Sequence, residues 1–381
     1  MGRARPKTKK TKQVVTENTA EPSQAPSIPA LLEKAQTLVA QCNYELATLF
    51  VKRILERAPE NADAKEMLGV VQLESGELES AKQTFLTLIP PNPDAPSPPP
   101  ASAYLYLAQL SDEDPQQALQ YYQSAVDLMV GQLKGKERAV DPSGITDDES
   151  QLKQNIVRAL IAMVEIWMDP SYDLCFDPAA EKTCEELLNL AQQTDPGNTE
   201  AWQALASVRL SQQRPEEAKQ CLEQAWVAWK DLDLDDPKLP PIPTRLALVK
   251  LSLELELYEP ALLVLQGVMA SDDQEVEAWY LEGWCFFLMA EQAKENGGTF
   301  NALTWEQLAK DSRDCLDTCQ LLHVNQEHPD VPLLEHVKEL IGKLEALGIN
   351  SSPDEEDDGE EGEEGDWEDV DGSDDSDVEM S

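Results

Sequence analysis

Residues 195–225 read DPGNTEAWQALASVRLSQQRPEEAKQCLEQA. The first four residues both stop and start a helix, because Pro cannot continue one and Gly and Asn tolerate left-handed backbone. Trp202, Leu205 and Ala206 then stand at helical spacing, followed by Ala218, Leu222 and Ala225. The stretch predicts two antiparallel helices whose small residues let them approach closely. Working outward, small residues in similar contexts recur at Ala47, Ala81, Ala118, Cys184, Ala218 and Ala261, at intervals of 34, 37, 66, 34 and 43.

A period of 34 is that of the tetratricopeptide repeat (TPR), in which each unit is a helix pair and stacked units share one core. The second unit supplies Leu68, Gly69, Gly76, Ala81, Phe85 and Pro93, and the first Ala47, Val51, Ile54, Pro59 and Asn61. In the third, Ala118, Tyr121, Tyr122 and Ala125 mark a second helix after a first around Leu105, Leu107 and Ala108. The sixth shows Leu248, Ala261, Leu265 and Val268. The seventh, Trp279 to Trp284, keeps Trp and Gly but has Glu282 where Leu is usual. The long intervals read as loop insertions, around 131–149, 169–177, 231–237 and 295–298. Val331 to Leu347 carries Leu333, Leu334, Val337, Leu340, Ile341 and Leu344 on one face, as the closing helix of a solenoid should. The expected fold is all-α: a right-handed TPR superhelix of about seven helix pairs plus a C-terminal capping helix.

Charge divides the chain further. Of 381 residues, 30 are Lys or Arg and 73 Asp or Glu, a formal net charge of −43. Such a surface repels phosphate and anionic head groups, which argues against direct nucleic-acid or membrane binding. Residues 1–12 hold six basic residues and no acid; residues 354–381 hold 17 acids and no base. Both ends have too little apolar side chain to order themselves. The expected organisation is a basic disordered arm over 1–27, with Pro22, Pro26 and Pro29 opposing helix, a TPR domain over 28–349 and an acidic disordered tail over 350–381. The tail holds Trp367, and Ser373 and Ser376 lie among acids as candidate phosphorylation sites. It reads either as a solubilising segment or as an electrostatic mimic of polyanion that shields a basic client. Seven cysteines at irregular spacing suit reduced thiols, and with no secretory signal the expected location is cytoplasm and nucleus.

Catalytic apparatus is not visible. The three histidines all follow residue 320, and there is no GxSxG, Walker or GxGxxG sequence, so no enzyme and no cofactor is expected. Cys315, Cys319 and His323 at i, i+4, i+8, with His328 and His336 downstream, resemble a metal cluster, but structural zinc usually takes ligands from two loops or a loop and a helix. Thiols along a helix face are the ordinary alternative, and no metal is expected. Repeat geometry instead points to the first helix of each pair, whose inner face lines a groove. The candidates are Asp63, Glu66, Val70 and Glu74 in the second unit, Glu200, Gln203 and Ser207 in the fifth, Leu246, Lys250 and Glu254 in the sixth, and Glu277, Tyr280, Trp284 and Phe287 in the seventh. Carboxylates with interspersed aromatics suit an extended basic peptide. Against this stands the reading in which Trp284 packs into the next repeat and the acids face water. Trp202 and Trp279, at the motif's own Trp positions, read as packing residues.

The opening MGRARPKTKKT, the seven-unit TPR body with WYLEGWCFFLM at 279–289, and the tail sequence EEGDWEDVDGSD together resemble the fungal dedicated assembly chaperones of the large-subunit ribosomal protein uL-four. The resemblance covers nearly the whole chain. It implies capture of a basic internal loop of the ribosomal client, protection from aggregation, and escort from cytoplasm to nucleus until incorporation into pre-60S particles. Residues 1–12 are then a candidate import signal, and an import receptor a candidate partner. A histone chaperone, or a TPR scaffold subunit of a multiprotein complex, is the alternative.

Overall fold

The computed structural model describes residues 26–139 and 147–351. Most of the expected arm and tail, with Trp367, Ser373 and Ser376, lies outside the described residues. The described residues form two compact units, divided between Ala228 and Trp229.

In the first unit the described residues form, in order, the α-helices α1 Ile28–Ala40, α2 Tyr44–Arg57, α3 Ala62–Glu74, α4 Leu78–Leu86, α5 Ala101–Gln109, α6 Pro115–Ala139, α7 Asp147–Met168, α8 Ala180–Thr194, α9 Thr199–Ser211 and α10 Pro215–Val227, with a short 3-10 helix at Asp173–Phe176 between α7 and α8. They pack as consecutive pairs, α1 on α2 through α9 on α10. The second unit holds α11 Ile242–Glu254, α12 Tyr258–Ser271, α13 Val276–Glu295, α14 Trp305–Asn325 and α15 Val331–Ala346. Here α11 pairs with α12 and α13 with α14, and α15 packs on both α13 and α14. The described residues thus give seven TPR-type helix pairs and a closing helix. No helix among them is long and apolar enough to cross a membrane.

The pairs are cut by a recurring turn. After α1, α3, α9 and α11 one residue takes left-handed backbone: Cys42 (φ 55°), Gly76 (77°), Gln213 (59°) and Glu256 (60°). The next N–H reaches back five residues in sequence: Asn43 to Leu38, Glu77 to Gln72, Arg214 to Arg209 and Leu257 to Ser252 carbonyls, all within 2.8–2.9 Å. This is the Schellman closure of a helix C-terminus, for which Gly is the favoured residue. Only Gly76 announces it in sequence. At the starts, Asn61 and Asn198 each accept the N–H of the third residue on, Ala64 and Ala201, and so cap α3 and α9.

Helix approach within pairs is set by Gly69 and Gly283. A Cβ on Gly69 would stand 2.6 Å from the Phe85 ring, and one on Gly283 2.8 Å from Leu316. Phe85 is fully buried and stacks on Tyr106 at 4.7 Å between ring centres. Burying such a side chain contributes roughly 1.5–3 kcal/mol. On α15, Leu333, Val337, Leu340, Ile341 and Leu344 are buried, as the closing-helix reading requires.

Three local expectations are corrected. The segment 131–149 is not a loop as a whole, because α6 continues through Gly131 to Ala139 and α7 starts at Asp147. The buried series Ala118, Tyr122, Ala125, Val126, Met129 and Leu133 keeps helical spacing across Gly131, which outweighs a glycine cost of about 1 kcal/mol. Likewise Glu295 belongs to α13, and the insertion after it is a ribbon pairing Thr299–Phe300 with Leu303–Thr304. Asn301 and Ala302, both at positive φ, turn that ribbon. Pro29, finally, lies in the first turn of α1, where its missing N–H costs no helical hydrogen bond.

Candidate functional site

The first unit carries an acid-rimmed cavity of about 490 Å³, lined by Gln36, Val39 and Ala40 of α1, Asp63, Glu66, Met67 and Val70 of α3, and Tyr106 of α5. Repeat geometry brings these together, since the lining helices are the first members of the first three pairs. Asp63, Glu66 and Val70 therefore share one wall, as the sequence places them. Burial, and then the carboxylates of Glu66 and Glu74, push the Tyr106 phenol above its ordinary pKa. Glu74 sits at the far end of α3, where the Tyr44 hydroxyl donates to it at 3.3 Å.

Basic side chains of this unit are largely engaged elsewhere. Arg209 and Arg214 pair with Glu185 and Glu217, and Lys65 with Glu60. Among the described residues, no Lys or Arg pairs with Asp63 or Glu66. The site combines apolar walls with uncompensated carboxylates, which fits the aliphatic stem and charged head of Lys or Arg. Glu200 differs, with Arg158 3.5 Å away. Partial desolvation, and then Glu200, raise the Glu165 pKa. Gln203, a groove candidate by spacing, is only 6% exposed and belongs to the core.

In the second unit, Lys250 and Glu277 form an ion pair at 2.5 Å. Tyr280 and Trp284 stack at 5.8 Å between ring centres, and both meet His336 of α15 edge-on at 5.7 and 5.6 Å. The Tyr280 hydroxyl and His336 Nδ1 are 2.8 Å apart. Burial first, with Cys319, Glu277 and Asp330 adding to it, pushes Tyr280 up to about 12. The aromatic pair is thus partly occupied by the closing helix. Glu254 is exposed near the end of α11, whereas Leu246 (2% exposed) and Phe287 (6%) are core residues and not groove residues.

The remaining candidates have local roles. The indole N–H groups of Trp202 and Trp279 donate to the carbonyls of Pro196 and Asp273, six residues back in each case, at 3.2 and 2.8 Å. Each closes the turn before its helix. Cys315 and Cys319 are buried, and their thiols go to Glu282 and the Val276 carbonyl, while His323 Nε2 meets the Asp330 carbonyl. The three side chains have separate partners. Sequence reasoning missed Tyr106 and Met67, which share one repeat position two residues before the small residue of their helices (Ala108, Gly69). The sequence singles out His336 only beside the candidate metal cluster; its contact with Tyr280 and Trp284 of α13 has no repeat register to reveal it.

Two tetratricopeptide repeat models match, over residues 38–98 and 199–225. A protein of Emericella nidulans described as a probable assembly chaperone of rpl4 is 31% identical over 326 residues, 82% of this chain and 79% of its own. A protein of Schizosaccharomyces pombe with the same description is 30% identical over 330 residues, 86% of this chain and 93% of its own. The solved structure of the assembly chaperone of RpL4 (Acl4, residues 1–338) superposes with a TM-score of 0.61 at 28% identity, over 72% of this chain and all of that one. With identity at this level extending over most of both chains, the protein belongs to the family of fungal rpl4 assembly chaperones.

Proposed function

We propose that this protein is a dedicated chaperone that holds a basic, extended segment of a newly made ribosomal protein of the rpl4 kind against its acidic inner helices. It acts by binding and not by catalysis. It keeps the client soluble in the cytoplasm and accompanies it into the nucleus until incorporation into pre-60S particles, with residues 1–12 engaging an import receptor. The observation that carries the reading is the cavity in which Asp63 and Glu66, unpaired with any described base, stand over apolar walls and Tyr106. A client segment rich in Lys and Arg would otherwise attract RNA or aggregate. Carboxylates neutralise it reversibly, and ribosomal RNA, with its higher charge density, displaces them.

The test is binding of the full chain to purified rpl4-type protein as salt is raised. Affinity falls steeply between low and moderate salt, and Glu66→Lys weakens binding by about ten-fold at low salt, the effect of losing one charge-assisted contact and gaining a repulsion. Binding indifferent to salt and to Glu66→Lys would overturn the electrostatic account.

A further inference from the structure

The end of the second unit holds a closed ring of hydrogen bonds that none of the preceding roles uses. Arg313 of α14 is 7% exposed. Its Nε donates to both carboxylate oxygens of Asp317, at 3.0 and 2.8 Å, and its Nη1 donates to Glu345 of α15 at 3.0 Å. The remaining nitrogen, Nη2, donates to the Ser351 hydroxyl at 2.9 Å, and that hydroxyl donates in turn to Asp317 at 2.7 Å. Ser351 therefore closes the ring Arg313–Ser351–Asp317 while being itself exposed. Two residues earlier Ile349 is buried, and its N–H is held by the Leu344 carbonyl at 3.0 Å. The ring ties the point where the chain leaves α15 for the acidic segment.

The sequence on the C-terminal side of Ser351 is Ser352-Pro353-Asp354-Glu355-Glu356-Asp357-Asp358, which places carboxylates at the third and every following position to the seventh. That is the pattern read by acidophilic serine/threonine kinases. We propose that Ser351 is a phosphorylation site, and that its modification opens the ring and releases the root of the acidic segment from α14 and α15. In the transfer, a bond forms between Ser351 Oγ and the terminal phosphorus of a nucleoside triphosphate. The bridging P–O bond breaks, the nucleoside diphosphate departs, and the hydroxyl proton is taken by the kinase's base.

Two consequences follow for the ring. The phosphoester has no proton to give Asp317, so one hydrogen bond is removed outright. The phosphate also brings nearly two negative charges to a guanidinium that already serves two carboxylates, so Asp317 and Glu345 repel it. A lone arginine would capture the phosphate. Here the local balance is already negative, and release wins.

The experiment treats the full chain with ATP and an acidophilic kinase, maps phosphate by mass spectrometry, and measures amide exchange at Gly348 and Ile349. The expected result is phosphate on Ser351 with exchange there roughly five-fold or more faster, while the α13 and α14 cores are unchanged. Ser352→Ala retains this response. Asp317→Asn, which removes the repelling charge but keeps the size of the side chain, lets Arg313 hold the phosphate and abolishes the acceleration. A purely structural serine would not give that reversal. Absence of phosphate at Ser351 in a sample modified at Ser373 or Ser376 overturns the proposal, as does phosphate at Ser351 with unchanged exchange.

Discussion

Substituting alanine for glycine should have opposite effects at two positions of the first unit. Gly131 lies within α6 with nothing within 4 Å of an added Cβ. Gly131→Ala should therefore stabilise the unit by about 0.5–1 kcal/mol, the difference in helix propensity. Gly69→Ala gains the same propensity term, but its Cβ would stand 2.6 Å from Cε1 and Cζ of Phe85 and 3.0 Å from Cδ1. The ring has no easy retreat, because it is fully buried and stacked at 14° on Tyr106. Overpacking of this kind costs about 1–3 kcal/mol, so the net expectation is a loss of about 1–2 kcal/mol, or roughly 2–8 °C in the thermal midpoint of a unit this size. Since Tyr106 lines the acid-rimmed cavity, the same displacement should also weaken binding of a basic peptide. Thermal unfolding of wild type, both single variants, Phe85→Leu and the double variant Gly69→Ala/Phe85→Leu isolates the clash as a coupling energy. If Gly69→Ala melts at or above wild type, or if Phe85→Leu fails to relieve its cost, the close approach of α3 and α4 does not constrain the pair as argued.

Gln213 and Glu256 occupy the left-handed position of the recurring turn without being glycine, so Gln213→Gly and Glu256→Gly should each stabilise their unit by about 0.5–1 kcal/mol. Urea unfolding checks this, and a loss at both positions would refute it. Glu282 is 8% exposed, and burial raises its pKa above the ordinary carboxylate value. A carboxyl whose native pKa exceeds its unfolded one contributes fully below the unfolded value and loses that contribution as pH rises through the native one. Wild type should therefore lose stability relative to Glu282→Gln across that rise, seen as diverging urea midpoints; parallel midpoints would remove the linkage. At neutral pH Glu282→Leu, which restores the motif residue, should gain about 1–3 kcal/mol provided the aliphatic side chain fills the same space.

Legibility of the fold follows from where its constraints are local. The turn Asp195-Pro196-Gly197-Asn198 and the small residues Gly69, Ala206 and Gly283 are visible because their chemistry permits few alternatives: a cap acceptor, a missing N–H, a missing Cβ. Elements fixed by packing are less visible. The left-handed backbone at Cys42, Gln213 and Glu256 is imposed by the Schellman hydrogen bonds and the helices on either side, against the preference of the residues themselves. Gly131, at the head of the expected 131–149 loop, lies within α6, because the buried stripe from Ala118 to Leu133 carries the helix past it.

The same distinction separates the members of the candidate site. Asp63, Glu200 and Glu277 each fall in the first turn of their helices, α3, α9 and α13, where an acid is favoured by the unsatisfied N–H groups whatever it binds. Recurrence at that position is therefore not evidence for a ligand on its own. What distinguishes the three is their neighbours: Glu200 faces Arg158 at 3.5 Å and Glu277 holds Lys250 at 2.5 Å, while Asp63 opens with Glu66 onto an apolar-walled cavity without a described base. A repeat alignment sees the position and not the neighbour. If the proposed function holds, the carboxylates of α3 should therefore contribute more to binding a basic segment than Glu277, which already pairs with Lys250, and a charge reversal at Glu66 should weaken that binding more than one at Glu277.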